Sequence, residues 1–293
     1  MAVERVQKVL SRMGFGSRRE IERWIEQGRI KINRKTCALG DTVEPGDWIH
    51  VNDKRVIVRE ERPAETRVII YHKPEGEVCT RNDPEGRPTV FEKLPKTGRS
   101  RWLSVGRLDI NTSGLLLLTT NGELAHRLMH PSHQVEREYA VRVSGTVTPD
   151  MLRQLTTEVA LEDGPAHFDD IQDGGGEGYN HWYYVVIREG RKREVRRLWE
   201  AMGLRVSRLI RVRYGFVILP RSLRKGRIRE LDVDAVRQLG ESVGLDLEIG
   251  DRPATPASGR RPGKRPQLKR AKKTRLKKKR GAFKRTRSAK QGQ

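Results

Sequence analysis

The spacing of apolar positions changes character along the chain. Over the first sixty residues it is helical: Val3, Val6, Val9 and Leu10 share one face, and Ile21, Trp24 and Ile25 another. Ser17 and Glu20 form a capping box that starts the second helix, and Gly28 ends it. Short strands follow over Arg29 to Asn33 and, after the Pro45-Gly46 turn, over Trp48 to Val51. Beyond residue 66 the apolar runs shorten to strand length: Val68 to His72, Leu103 to Val105, Leu115 to Thr120, Arg137 to Val143, Ala166 to Ile171, Trp182 to Ile187 and Val206 to Tyr214. Helices are predicted over Glu123 to Met129, from Pro149, and from Glu194 to a stop at Gly203. The pattern predicts an α+β chain: a small domain over 1–60, a linker over 61–66, a larger domain over 67–247 and a tail over 248–293.

Charge sharpens that division. Residues 251–293 hold 18 Lys/Arg and one Asp, so all but +6 of the net charge of +23 lies there. Such a segment cannot bury enough apolar surface to offset chain entropy and is expected to be disordered. The whole chain, 34% charged, expects a polyanionic partner. No apolar run approaches the roughly 18 residues of a membrane span, and the first residues lack a signal-peptide core. Nucleic acid in the cytoplasm is therefore favoured over a membrane. Cys37 and Cys79 are too few for a disulfide framework or a Cys-based zinc site, and His130 and His133 lack the carboxylates that would complete a metal site. No metal is expected.

The chemistry concentrates between Arg101 and Pro131. A strand breaks at Gly106, turn formers Asn111, Ser113 and Gly114 follow, and then comes the buried run. Asn121 caps the next helix. Asp109 is thereby held on a loop between two rigid elements, where functional groups tend to sit. By spacing alone an Asx-turn residue is the favoured reading of Asp109. Arg81 lies in a stretch (Val78 to Pro88) that reads as a mobile surface loop or as one facing a polyanion. Arg191, Lys192, Arg193, Arg196 and Arg197 lie within seven positions, more than nearby acids are expected to pair, so an anionic partner is implied there too. Arg18, Arg19 and Arg23 share a polar helix face.

The stretch Gly106-Arg107-Leu108-Asp109-Ile110-Asn111-Thr112-Ser113-Gly114-Leu115-Leu116 resembles the signature loop of the pseudouridine synthases. The lead-in KPEGEVCTRNDPEGRPTVF resembles that of the family's ribosomal-RNA members, and Arg5 to Asn52 resembles an S4-type RNA-binding domain. The resemblance implies an S4-like domain followed by a catalytic domain with a mixed, mostly antiparallel sheet. It implies that Asp109 is the nucleophile and that Tyr139, in REYAV, stacks on a flipped base and moves its proton. Arg196, in Val195-Arg196, would form an ion pair with Asp109. Arg107 would fill the gap left in the base stack. Arg18, Arg19, Arg23, Arg81, Arg107, Arg191, Lys192, Arg193 and Arg197 are the expected RNA contacts. The implied activity is isomerisation of one uridine to pseudouridine in 23S ribosomal RNA, free or in a large-subunit assembly intermediate, by a cofactor-free cytoplasmic monomer.

Two other classes compete. An S4-type assembly factor with a dead second domain is opposed by the joint presence of Asp109, Tyr139 and Arg196. A two-metal nuclease needs clustered carboxylates, and Asp109 has no acidic residue within ten positions on either side.

Overall fold

A computed structural model of the chain describes residues 3–52, 54–59, 66–97, 100–176 and 179–247. The tail over 248–293 and nearly all of the linker lie outside them.

The N-terminal module runs β1 (Glu4–Arg5), α1 (Val6–Arg12), α2 (Arg18–Glu26), β2 (Ile30–Ile32), β3 (Lys35–Thr36), β4 (Thr42–Val43), β5 (Trp48–Val51) and β6 (Lys54–Ile57). Val6, Val9, Leu10, Ile21, Ile25 and Ile49 close its core, and the Ser17–Glu20 capping box forms. Val3 leaves the expected helical face. It precedes the short strand β1 and is 53% exposed.

The larger domain runs β7 (Val68–Lys73), β8 (Leu103–Val105), β9 (Ser113–Thr119), α3 (Gly122–Met129), β10 (Arg137–Ser144), α4 (Pro149–Thr157), β11 (Val159–Leu161) and β12 (Gly164–Ala166). It continues through β13 (Asp170–Gly175), β14 (Asn180–Ile187), α5 (Glu194–Ala201), β15 (Arg205–Tyr214), β16 (Val217–Ile218), β17 (Ile228–Glu230) and α6 (Val233–Glu241). Seven strands form one twisted sheet in the order β13-β14-β10-β15-β9-β7-β17, with β16 on β15 and β8 on β9. The strand pairings in this sheet are antiparallel except β15 with β9, so the sheet is mixed.

β9 is buried on both faces. Leu115 and Leu117 pack with α3 and α6, while Leu116 and Leu118 pack with Ile69, Tyr71, Trp102 and Leu108. A third core joins β10, β14 and β15 to α4 and α5 through Val141, Val185, Leu198 and Trp199. Gly114 lets β9 meet β15: a Cβ there would lie 2.3 Å from the Arg211 carbonyl oxygen. The two domains touch through Arg101, whose Nη1 donates to the Gly16 carbonyl at 3.0 Å and whose Nη2 donates to Ser11 Oγ.

Candidate active site

The turn from Leu108 to Thr112 leaves backbone carbonyls that no helix or sheet ladder satisfies, and buried carbonyls need partners. Each carbonyl finds one. Lys73, wholly buried at the end of β7, donates from Nζ to the carbonyls of Asp109 (3.1 Å), Thr112 (2.9 Å) and Pro74 (2.9 Å). The Asp109 carbonyl also accepts the Thr112 amide at 3.0 Å, and the Ile110 carbonyl accepts the Gly76 amide at 2.8 Å. Arg196 Nη2 reaches the Asn111 carbonyl at 2.9 Å, and Cys79 Sγ lies 3.4 Å from the Leu108 carbonyl. A loop of ordinary turn residues is thus held from both flanks by cations that bond its main chain.

The Asp109 side chain remains exposed above this frame. It opens into a cleft of about 520 Å³ that Arg107, Arg137, Tyr139, Arg193 and Val195 also line. Tyr139 is half-buried and packs against two cores at once, which holds its ring in place. Arg137, two residues earlier on the same strand face, is buried. Its guanidinium donates to the Glu189 carbonyl at 2.9 Å and lies 5.2 Å from the Tyr214 ring centre. Tyr214 in turn donates its hydroxyl to the Leu128 carbonyl at 2.7 Å.

Arg196 departs from expectation. Among the described residues no ion pair joins it to Asp109. Its Nη1 instead donates to the Val206 carbonyl at 2.9 Å, so both ends of the guanidinium bond main chain. Burial, reinforced by the charge of Arg193, pulls the guanidinium below its ordinary value, and the charge of Asp109 acts in the opposite direction. Lys73 is similar. Burial lowers its ammonium, opposed by Cys79, Glu77 and Asp109 in that order. Both cations feel the Asp109 carboxylate electrostatically while bonding its loop.

The basic run also departs. Arg197 makes a bidentate pair with Asp163 at 2.7 and 2.9 Å, because the β11–β12 turn brings that acid beside α5. Arg191 donates to Glu189 at 2.6 Å and to the Pro165 carbonyl at 2.9 Å, and Arg193 to Glu200 at 3.0 Å. The run therefore mostly builds structure. Lys192 keeps no ion pair among the described residues. Arg81 is tethered as well, by its bond to the Trp102 carbonyl and by stacking 4.4 Å over Phe91. Arg107 has neither a hydrogen bond nor an ion pair among the described residues. Arg18, Arg19 and Arg23 are exposed on α2.

Lys73 and Arg137 were not singled out from the sequence. A lysine closing a buried strand just before Pro74 was one available signal, and an arginine in phase with Tyr139 was the other.

Residues 67–201 match the family of RNA pseudouridylate synthases, and residues 4–49 match the S4 domain. A ribosomal large subunit pseudouridine synthase B from Pseudomonas aeruginosa is 58% identical over 245 residues, which cover 83% of this chain and 63% of that protein. The protein of the same name from Shigella flexneri is 57% identical over 260 residues, covering 88% and 90%. A solved structure described as a pseudouridylate synthase is 29% identical, with a TM-score of 0.55, and covers 80% of this chain and 99% of its own.

Proposed function

The chain belongs to the RNA pseudouridylate synthase family, and on that premise we propose that it isomerises one uridine of 23S ribosomal RNA, with Asp109 as nucleophile. The observation that carries the reading is an exposed carboxylate on a loop whose every carbonyl is bonded, facing a cleft that also holds Tyr139. The substrate is free ribosomal RNA or a large-subunit assembly intermediate. The enzyme acts as a monomer in the bacterial cytoplasm and requires no cofactor.

The reaction breaks the bond from N1 to C1′, turns the ring and joins C5 to C1′. C5 loses a proton and N1 gains one, so the product is an isomer. Asp109 serves by attack at C1′ or C6, or by assisting departure of the base, and all three routes need an ionised carboxylate at the cleft floor. The target must stand outside a helix to be reached. Tyr139 stacks on it and its hydroxyl takes part in the C5 proton transfer. Arg107, two residues from Asp109 and without an ion pair among the described residues, fills the vacated stack. Arg18, Arg19 and Arg23 contact phosphates, which position the RNA without reading its bases.

Asp109→Asn tests the assignment. Release of tritium from RNA carrying [5-³H]uridine should be abolished while RNA affinity stays near wild type. Residual turnover within about tenfold of wild type would sink the nucleophile assignment.

A further inference from the structure

The sheet has a second functional-looking surface, and it is not the cleft. On β10, β14 and β15 the residues that face α4 and α5 are Val141, Tyr183, Val185 and Leu209. Their neighbours point to the other side. There, strand register lines up Gln172, Tyr184, Ala140 and Ile210 in one row, and Trp182, Arg142 and Arg208 in the next. Helices α3 and α6 cover the same side of the sheet towards its other edge, where they pack on Val68, Ile70, Leu115 and Leu117 and reach Tyr214 at the far end of β15. Among the described residues no helix covers the β10–β14 side. Tyr184 is 41% exposed, Trp182 and Ile210 are half-buried, and Arg205 and Arg208 are exposed.

The composition of this face is selective. Arg142 and Arg208 share the row of Trp182 and Arg205 lies in the row beyond it, with no carboxylate in the rows of Trp182 and Tyr184. The next row past Tyr184 holds Asp170, bonded by Gln172, and Glu138, bonded by Arg213. Arg142 spends only its Nε, on Ser207 Oγ at 2.9 Å, and Arg205 and Arg208 have no ion pair among the described residues. Trp182 and Tyr184, two positions apart on one strand, stand about 6.5 Å from each other along it. That spacing accommodates two successive unstacked bases. The neighbouring edge strand is also cleared for them. Gly174 lies so near that a Cβ would sit 3.1 Å from Tyr184 Cε2, 3.1 Å from the Trp182 carbonyl oxygen and 3.2 Å from Trp182 Cβ, so any side chain there would crowd the Tyr184 ring and the base of Trp182.

We propose that this uncovered sheet face is a second RNA-binding surface, which takes an unpaired strand by stacking bases on Trp182 and Tyr184 and holding phosphates with Arg142, Arg205 and Arg208. Aromatic rings interleaved with guanidiniums match the chemistry of single strands, since every base offers a π-face and every linkage a negative charge. The inference rests on RNA being the substrate, and it extends the footprint to a segment away from the target uridine.

Cross-linking tests it separately from catalysis. Full-length protein is irradiated with a twelve-nucleotide oligouridylate, and the cross-linked peptides are mapped by mass spectrometry. A cross-link on Trp182 or Tyr184 is expected. The Tyr184→Ser/Arg208→Gln double variant should lose that cross-link and bind the oligonucleotide roughly tenfold more weakly, with an unchanged circular-dichroism melt. Cross-links elsewhere with the β14 peptide unmodified would overturn the proposal, as would wild-type affinity in the double variant. A dimer in sedimentation that Tyr184→Ser dissociates would overturn it too, by assigning the face to self-association. Because the readout is binding, a chain without isomerase activity would still give the cross-link, so the two readings fail independently.

Discussion

Lys73→Met removes the grip on the Asp109 loop while nearly preserving side-chain volume. The ammonium bonds three carbonyls, and its loss is not equal among them. The Asp109 carbonyl keeps the Thr112 amide at 3.0 Å, whereas those of Pro74 and Thr112 have no second partner among the described residues. Two orphaned acceptors cost about 1–3 kcal/mol each. Against that, the variant no longer buries a charge, the burial that lowers the Lys73 pKa. A net destabilisation of about 2–4 kcal/mol is expected, read as a lower urea midpoint at unchanged slope. The loop then relaxes, and misplacing a nucleophile by 1 Å typically costs about 10²-fold in rate. Lys73 does not line the cleft, so kcat should fall while KM holds. Tritium release under saturating RNA measures this directly. Turnover within about threefold of wild type, with stability unchanged to about 0.5 kcal/mol, would show that the turn holds itself and the grip is incidental.

Arg196→Met should orphan the Asn111 and Val206 carbonyls and cut turnover by about 10- to 100-fold even at saturating RNA; recovery on raising RNA concentration would mark Arg196 as a phosphate contact. Tyr139→Phe should retain RNA affinity and lose about 10²- to 10⁴-fold in rate, and full turnover would reduce Tyr139 to a stacking platform. Glu194 sets a pH trend. Burial raises its carboxyl above the ordinary 4.5, opposed by the Arg191 amide bond and aided by Glu189. The folded state then holds the proton more tightly than the unfolded chain, so the stability it contributes falls as pH rises from about 4.5 through the raised value. Glu194→Gln should therefore melt above wild type at pH 7.5 and lose that advantage at pH 4, and a melting difference flat across pH would refute the argument.

Legibility in the sequence followed the kind of partner each residue takes. The loop around Asp109 was readable because Asn, Ser and Gly announce a turn, and the boundaries of α3 because Asn121 caps it with bonds to Glu123 and Leu124 amides. The role of Arg196 was not, because its partners are backbone carbonyls, which carry no residue identity. Lys73 hid for the same reason, 39 residues from Thr112. The basic run around Arg193 suggested unpaired charge, yet three of its arginines find acids, one of them Asp163 across a hairpin 34 residues away. Sheet order was equally silent, since no local pattern says that β9 lies parallel to β15.

That parallel pairing, with the bond from Arg196 to Asn111 across 85 residues, has a consequence for the order in which the chain acquires its parts. Closing a loop of that length costs about 4 kcal/mol in its length-dependent entropy alone, before any contact repays it. The N-terminal module needs no such closure and can fold as soon as it is made. Asp109, although encoded in the first half of the molecule, takes up its position in the folded loop only after α5 and β15 have been synthesised. During translation the chain thus gains its S4 module long before it gains a finished Asp109 loop.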